Sequence, residues 1–113
     1  MKFSTLRSYA LSLPEVTEEP HHHSGSFRVR GRIFVTIPPG QTHIHVFVPE
    51  EQRERALAMY PDFSEKLLWG GKVAGLRLAL GNAPAAVAKQ LIRQAWQYKS
   101  PKGLLASGDG AAI

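Results

Sequence analysis

Apolar and polar residues alternate between positions 26 and 37, as they do in half-buried β-strands. On either side of Gly31 every second residue is apolar: Phe27, Val29, Ile33, Val35 and Ile37. We expect a β-hairpin with a three-residue turn over residues 30–32, which sets Val29 opposite Ile33 and Phe27 opposite Val35. This register groups the aliphatic side chains on one face, whereas a slip of one residue would send a buried set to solvent.

The remaining pattern predicts three helices and three more strands. We expect helices over residues 4–13, 49 to about 59 and 84–99, and strands over residues 43–48, 66–69 and 73–80. Residues 14–25 are acidic and then rich in histidine, with Pro20 and Gly25 as breakers, so we expect a connector there. The order α-β-β-β-α-β-β-α predicts an α+β fold, a two-layer sandwich in which three helices cover one face of a five-stranded antiparallel sheet.

Length and composition indicate one small domain. We expect residues 1–102 to form it and the Gly- and Ala-rich residues 103–113 to be a flexible C-terminal tail. The absence of cysteine excludes disulfides and Cys-based zinc sites. No apolar stretch approaches the roughly 20 residues that span a bilayer, and no signal peptide is evident. We therefore expect a cytoplasmic, monomeric protein without membrane association.

The charge of the chain favours a polyanionic partner. Lysine and arginine number 14 against 9 acidic residues, which gives a net charge of +5. In the expected register the hairpin arginines lie on the sheet face opposite the aliphatic residues, or at its rim, together with aromatic rings. Cations neutralise phosphates and rings stack on bases, so this face is a candidate nucleic-acid-binding surface. Its candidate residues are Arg28, Arg30, Arg32, Phe34, His43, His45, Lys72 and Arg77.

Other readings of these residues stay open. Long arginine stems routinely cover apolar surface, so the same face is also compatible with an ordinary solvent-exposed sheet. His43 and His45 could share a metal with a histidine from residues 21–23. Contiguous loop histidines are more often solvated, and we expect no bound metal. Trp96 is expected in the core, whereas Trp69, before two glycines, is more open to a binding role.

No pattern indicates catalysis. The serines lack a nucleophile motif, and the glycines at 70, 71 and 75 lack the spacing of a phosphate-binding loop. We expect a protein that is not an enzyme and carries no cofactor.

Several local sequences, in their order and spacing, resemble the MmcQ/YjbR family of small bacterial proteins. They are Leu11-Ser12-Leu13-Pro14, the segment from Ser26 to Phe34, Gly71-Lys72-Val73, Gln94-Ala95-Trp96 and Ser100-Pro101-Lys102. The resemblance covers roughly residues 4–102. It implies a two-layer sandwich with a five-stranded antiparallel sheet and DNA binding, sometimes described as a double-wing arrangement. Family members often have a lysine where this chain has Arg32, which keeps the charge but changes its geometry.

These observations lead to one main functional hypothesis and one rival. The main hypothesis is a non-enzymatic DNA-binding protein with weak sequence selectivity, because the predicted contacts are largely electrostatic. The rival is a protein- or peptide-binding module that uses a sheet face or an open edge strand, with an architecture similar to that of secretion chaperones.

Overall fold

Six β-strands and three α-helices are found in residues 1–102, the part of the chain that the computed structural model describes. The strands form one antiparallel sheet with the order β1-β2-β3-β4-β6-β5. The elements are α1 (Phe3–Ser12), β1 (Val16–His21), β2 (Ser24–Val29), β3 (Arg32–Ile37), β4 (His43–Val46), α2 (Glu50–Met59), β5 (Ser64–Trp69), β6 (Lys72–Ala79) and α3 (Ala85–Lys99). The expected α+β class with three helices and an antiparallel sheet is confirmed, but the expected count of five strands is wrong.

The additional strand is β1, which lies in the segment expected to be a connector. It pairs with β2 from Val16 opposite Val29 to His21 opposite Ser24. Four of its six residues are exposed, so it carries almost none of the alternation that marks a buried strand. Pro20 is tolerated because β1 is an edge strand, whose outer side has no ladder partner to lose. Pairing with β2, rather than its own sequence pattern, makes this segment a strand.

All three helices contribute to the same hydrophobic core as the sheet. α1 supplies Leu6 and Ala10, α2 supplies Ala56, and α3 supplies a stripe of four residues. That stripe is Leu91, Ile92, Ala95 and Trp96. Trp96 is 1% exposed, which confirms its expected place in the core. The sheet face against the helices is therefore apolar, and the polar positions of the strands lie on the opposite face.

The central hairpin has a tighter turn than expected. Phe27 pairs with Val35 as predicted, but Arg28 pairs with Ile33 and Val29 with Arg32. The turn is the two residues Arg30 and Gly31, both with positive φ (48° and 81°), as in a type I′ turn. Phe34 is left without a cross-strand partner and forms a β-bulge. The predicted pairing of Val29 with Ile33 is wrong because a three-residue turn without a bulge was assumed.

Two hairpin turns lie at the same end of the sheet. Each neighbouring pair of strands is antiparallel, so β2, β4 and β5 all run in one direction. The turn after β2 (Arg30-Gly31) and the turn after β5 (Gly70-Gly71) therefore lie at the same end of the strands, which we call the hairpin end. Three strand spacings of roughly 4.8 Å separate them, or about 14 Å along the sheet. The C-terminus of β4 lies between them.

Candidate functional site

Arg28 lies along the sheet rather than projecting from it. Its Nε donates to Ser26 Oγ at 3.1 Å, and Nη2 donates to the carbonyl oxygen of Pro20 at 3.1 Å. Ser26 is fully buried beneath it, and its hydroxyl donates to the carbonyl oxygen of Glu19 at 2.7 Å. Arg28 thus ties β2 to the edge strand β1. Two of its N–H groups therefore already have acceptors within the sheet.

Arg30 is paired with a carboxylate of the same molecule. Its Nε and Nη2 donate to Oε1 and Oε2 of Glu15, each at 2.9 Å, which is the bidentate geometry of strong arginine–carboxylate pairs. The hydrogen bonds from Arg30 hold the pKa of Glu15 below its usual range, and Glu15 in turn raises the pKa of Arg30. The charge at the first hairpin tip is therefore largely compensated.

A row of polar side chains crosses the middle of the sheet on the face away from the core. Thr36 pairs with His45, His45 with Arg77, and Arg77 with Glu65. Thr36 Oγ1 lies 3.2 Å from His45 Nδ1. Arg77 Nε lies 3.2 Å from Glu65 Oε1, within ion-pair distance but without hydrogen-bond geometry. Arg77 is consequently a second candidate whose charge has an internal partner.

His45 is the buried centre of this row. Burial lowers its pKa, and the positive charges of Arg77 and His43 add to the effect. Its Nε2 is buried and has no hydrogen-bond partner among residues 1–102. A neutral imidazole in this position supplies no positive charge for a phosphate. His43 lies two residues before His45, on the same face of β4, and its Nδ1 is 3.0 Å from Thr42 Oγ1.

Phe34 does not lie on the candidate face. It is fully buried in the hydrophobic core, and the expectation that it would accompany the arginines is wrong. The physical reason is the β-bulge, which interrupts the alternation so that Phe34 and Val35 both join the core. Its neighbours Ile33 and Thr36 instead line a depression together with Phe47.

Three cations without a carboxylate partner lie at the hairpin end. Arg32 begins β3 directly after the first turn, and Lys72 begins β6 directly after the second. Lys99 ends α3, which runs back towards this end after β6. Among residues 1–102, none of these three makes an ion pair with an acidic side chain. The predicted basic residues therefore fall into two groups. Arg30 and Arg77 each have a carboxylate partner, whereas Arg32 and Lys72 have none among residues 1–102.

Two aromatic rings, those of Trp69 and Phe47, lie together at the hairpin end. Trp69 precedes the second turn and is 53% exposed. Its ring lies 5.3 Å from that of Phe47, at an interplanar angle of 52°. The two rings line a depression of about 250 Å³ with Ile33 and Lys99, and His21 and Thr36 complete it. Cations and exposed aromatic surface therefore occur together here rather than across the whole sheet face.

The acidic residues of α2 do not compensate these cations. Arg53 lies 3.0 Å from Glu54 and 3.9 Å from Glu50, and Arg55 lies 3.1 Å from Glu51. The helix therefore pairs its own charges.

Among residues 1–102 no cluster of three or more side chains that could hold a metal ion is found, so the histidines have no third ligand there. No helix of that range is long and apolar enough to cross a membrane.

The family model for YjbR matches residues 11–98, which is most of the chain. This chain belongs to the YjbR family. The fold of this YjbR-family chain is similar to that of a crystal structure of the Deinococcus radiodurans protein DR2400, which contains a DUF419 domain. The TM-score is 0.75 at 19% identity, over 97% of this chain and 86% of the other. No curated protein gives a significant match.

Sequence reasoning missed two features of the hairpin end of this YjbR-family chain. The partner of Arg30 is Glu15, which belongs to the segment expected to be a connector and becomes adjacent only through the pairing of β1 with β2. Lys99 comes to the hairpin end because α3 runs antiparallel to β6, far from the hairpins in sequence. A cation at the C-terminal end of a helix is common for local reasons, so its position in the sequence carried no signal of binding.

Proposed function

We propose that this protein is a non-enzymatic, cytoplasmic nucleic-acid-binding protein, acting as a monomer, that contacts phosphates with its hairpin end. The observation that carries the proposal is the grouping of Arg32, Lys72 and Lys99 around two adjacent hairpin turns without compensating carboxylates in residues 1–102. Two hairpins about 14 Å apart on a rigid sheet offer the phosphate backbone two contact points at fixed separation. DNA is the expected ligand, with weak sequence selectivity.

The internal ion pairs narrow the surface that can bind. Arg30 and Arg77 would have to exchange Glu15 and Glu65 for phosphate, so they add little to the net attraction. The polar row and Arg28 serve the sheet itself through hydrogen bonds between strands. We therefore place the interface at the hairpin end and not over the whole sheet face.

Paired charge reversals at opposite ends of the molecule test the proposal. Lys72 lies at the hairpin end, whereas Lys2 precedes α1 near the other end, where the N-terminal ammonium donates to Leu80 and Ala83. Both K72E and K2E lower the net charge equally. We expect K72E to weaken binding of a fluorescent oligonucleotide by roughly five- to tenfold, since a lost phosphate contact changes affinity on that scale. K2E should match wild type within about twofold.

Salt dependence supplies the second measurement. Three phosphate contacts predict a fall in affinity of roughly 20-fold between 50 and 200 mM salt for a single strand. Anisotropy titrations of single-stranded DNA, duplex DNA and RNA at several salt concentrations give the slope directly. The proposal fails if no nucleic acid binds at low salt, or if K72E and K2E weaken binding equally.

One specific observation favours a protein- or peptide-binding function as the second candidate. β5 is an edge strand, and both Leu68 and Trp69 on it are largely exposed, at 58% and 53%. An extended peptide could add to this edge through main-chain hydrogen bonds, with apolar side chains against these residues. A partner that is recovered with this protein after nuclease treatment at about 0.5 M salt, and is lost in L68K, would support this function. At roughly five times the salt concentration that gives a Debye length of ~10 Å, attraction between surface charges is largely screened.

A further inference from the structure

Trp69 is presented to solvent as a supported ring. Its ring packs against that of Phe47, which is only 8% exposed and is therefore held in place by its surroundings. Phe47 in turn lies against the backbone of Gly75, where an added Cβ would be 3.2 Å from Phe47 Cδ1 and 2.7 Å from the carbonyl oxygen of Val46. The exposed indole is therefore held on a packed layer, while its outer surface remains accessible.

The surroundings of this ring combine apolar and cationic groups. Ile33 and Phe47 form apolar walls of the depression beside Trp69, and Lys99 lies at its rim. Lys72 is the direct cross-strand partner of Trp69. A ligand that fits must offer a flat apolar surface and a negative charge close to it. A nucleotide has both, since its base presents a π-face and its phosphate lies one sugar away.

We propose that the depression lined by Trp69 and Phe47 binds one unpaired nucleobase, stacked on Trp69, with the adjoining phosphates near Lys72 and Lys99. This inference rests on the proposed function and makes it more specific, because it assigns the site to single-stranded nucleic acid. Bases of an intact duplex are stacked on each other and cannot reach an indole on a sheet. An acidic peptide would use the cations but not the accessible ring face, so the nucleotide accounts for more of the site.

An oligonucleotide without bases separates stacking from charge. We compare oligothymidylate with an abasic strand of the same length and phosphate number, at one salt concentration. Wild type should bind oligothymidylate roughly 5- to 100-fold more tightly than the abasic strand, the range measured for stacking of one base on an aromatic side chain. W69A should lose this preference and bind both strands equally, whereas W69F should retain most of it.

Controls keep the result specific to the ring. L68A removes an exposed apolar side chain from the neighbouring position, where 58% of Leu68 is accessible, and should leave the preference unchanged. Binding of oligothymidylate should also quench the emission that wild type has and W69F lacks, which reports Trp69 separately from the buried Trp96. Thermal unfolding of each variant checks that the fold is intact.

The outcomes distinguish this inference from the proposed function. If wild type binds both strands equally and W69A changes nothing, base stacking is excluded while phosphate binding stands. If neither strand binds at low salt, the proposed function fails and this inference with it. If poly-glutamate of matched charge competes as well as oligothymidylate, the depression is an acidic-peptide site and the inference is overturned.

Discussion

At the scale of single residues, the arginines of the first hairpin differ in whether a carboxylate lies beside them, so charge alone does not identify a candidate binding residue. Arg30 and Arg32 are two positions apart in the same hairpin. Arg30 lies in the turn and reaches Glu15 with both halves of its guanidinium, whereas Arg32 has no acidic partner in the described range. Their different ion pairing follows from where a neighbouring segment places a carboxylate.

Releasing Arg30 should strengthen nucleic-acid binding. In E15Q the guanidinium loses its bidentate ionic partner and becomes available to a phosphate, so we expect roughly fivefold tighter binding and a steeper salt dependence. E18Q is the matched control, because it releases Arg7, held 2.6 Å from Glu18, in the middle of α1. Oligonucleotide titrations of the two variants check this. Equal gains in both would show that only net charge matters.

His45 should make stability depend on pH. Its pKa is lowered by burial and by Arg77 and His43, so the unfolded chain binds a proton that the folded protein excludes. Stability from this group is therefore present above pH ~6.5, the ordinary histidine pKa, and is lost as the pH falls through the lower folded value. The free energy of unfolding in urea should fall between about pH 7.5 and about pH 5, a range that brackets the ordinary histidine pKa, and it should fall more for wild type than for H45Q.

The control for this pH effect is H23Q, which replaces an exposed histidine in the turn between β1 and β2. The groups that face His45 are Arg77 on β6 and His43 on β4, and Glu65 on β5 lies on the far side of Arg77. If H45Q and wild type lose stability in parallel as the pH falls, the buried imidazole is not the source.

At the scale of elements, the sheet is shaped by two irregularities. Phe34 in β3 and Ala74 in β6 each lack a cross-strand partner, because the register shifts beside them. The first bulge sends Phe34 into the core and leaves Ile33 and Thr36 to line the depression. Bulges commonly re-aim side chains near binding sites, and here one sits beside the depression that we propose as a nucleobase site.

The close approach of β6 to β4 depends on a glycine. A Cβ at Gly75 would lie 2.7 Å from the carbonyl oxygen of Val46, a backbone atom that cannot move without disturbing the ladder. We expect G75A to destabilise the protein by about 1–3 kcal/mol, the usual range for overpacking. G81A is the control, since apart from its chain neighbours no heavy atom of residues 1–102 lies within 4 Å of its added Cβ. Urea unfolding of both variants measures the difference, and similar stabilities would contradict the steric argument.

At the scale of the whole molecule, α3 connects distant parts of the chain. Trp96 is 1% exposed, and its Nε1 donates to the carbonyl oxygen of Pro14 at 3.1 Å, across 82 positions of sequence. This contact joins α3 to the segment that leads into β1. That segment carries Glu15, so the packing of α3 also helps to position the partner of Arg30.

Shortening this buried side chain should destabilise the whole domain. W96F removes the indole N–H and leaves both a small cavity and an unpaired carbonyl, so we expect a loss of about 1–3 kcal/mol. Y98A on the same helix replaces an aromatic residue that is 53% exposed and should change stability by no more than about 0.5 kcal/mol. Chemical unfolding checks both. A mild effect of W96F would mean that the link to Pro14 contributes little.

The sequence by itself determined the features that depend on short-range periodicity. Alternation in residues 43–48 and in most of residues 26–37 predicted which side chains face the core, because a strand turns successive side chains to opposite faces. It failed at Ile33 and Phe34, where the β-bulge interrupts the alternation. Helical spacing placed Trp96 inside. The family resemblance, carried by the order of short segments, was confirmed by the match over residues 11–98.

Only the tertiary structure decided which charges are available. β1 has no strong pattern of its own and becomes a strand by pairing, which brings Glu15 to Arg30. The antiparallel order of the sheet brings the turns at residues 30–31 and 70–71 to one end, and the return of α3 adds Lys99. These juxtapositions arise from contacts between segments far apart in the chain, and local periodicity carries no information about them.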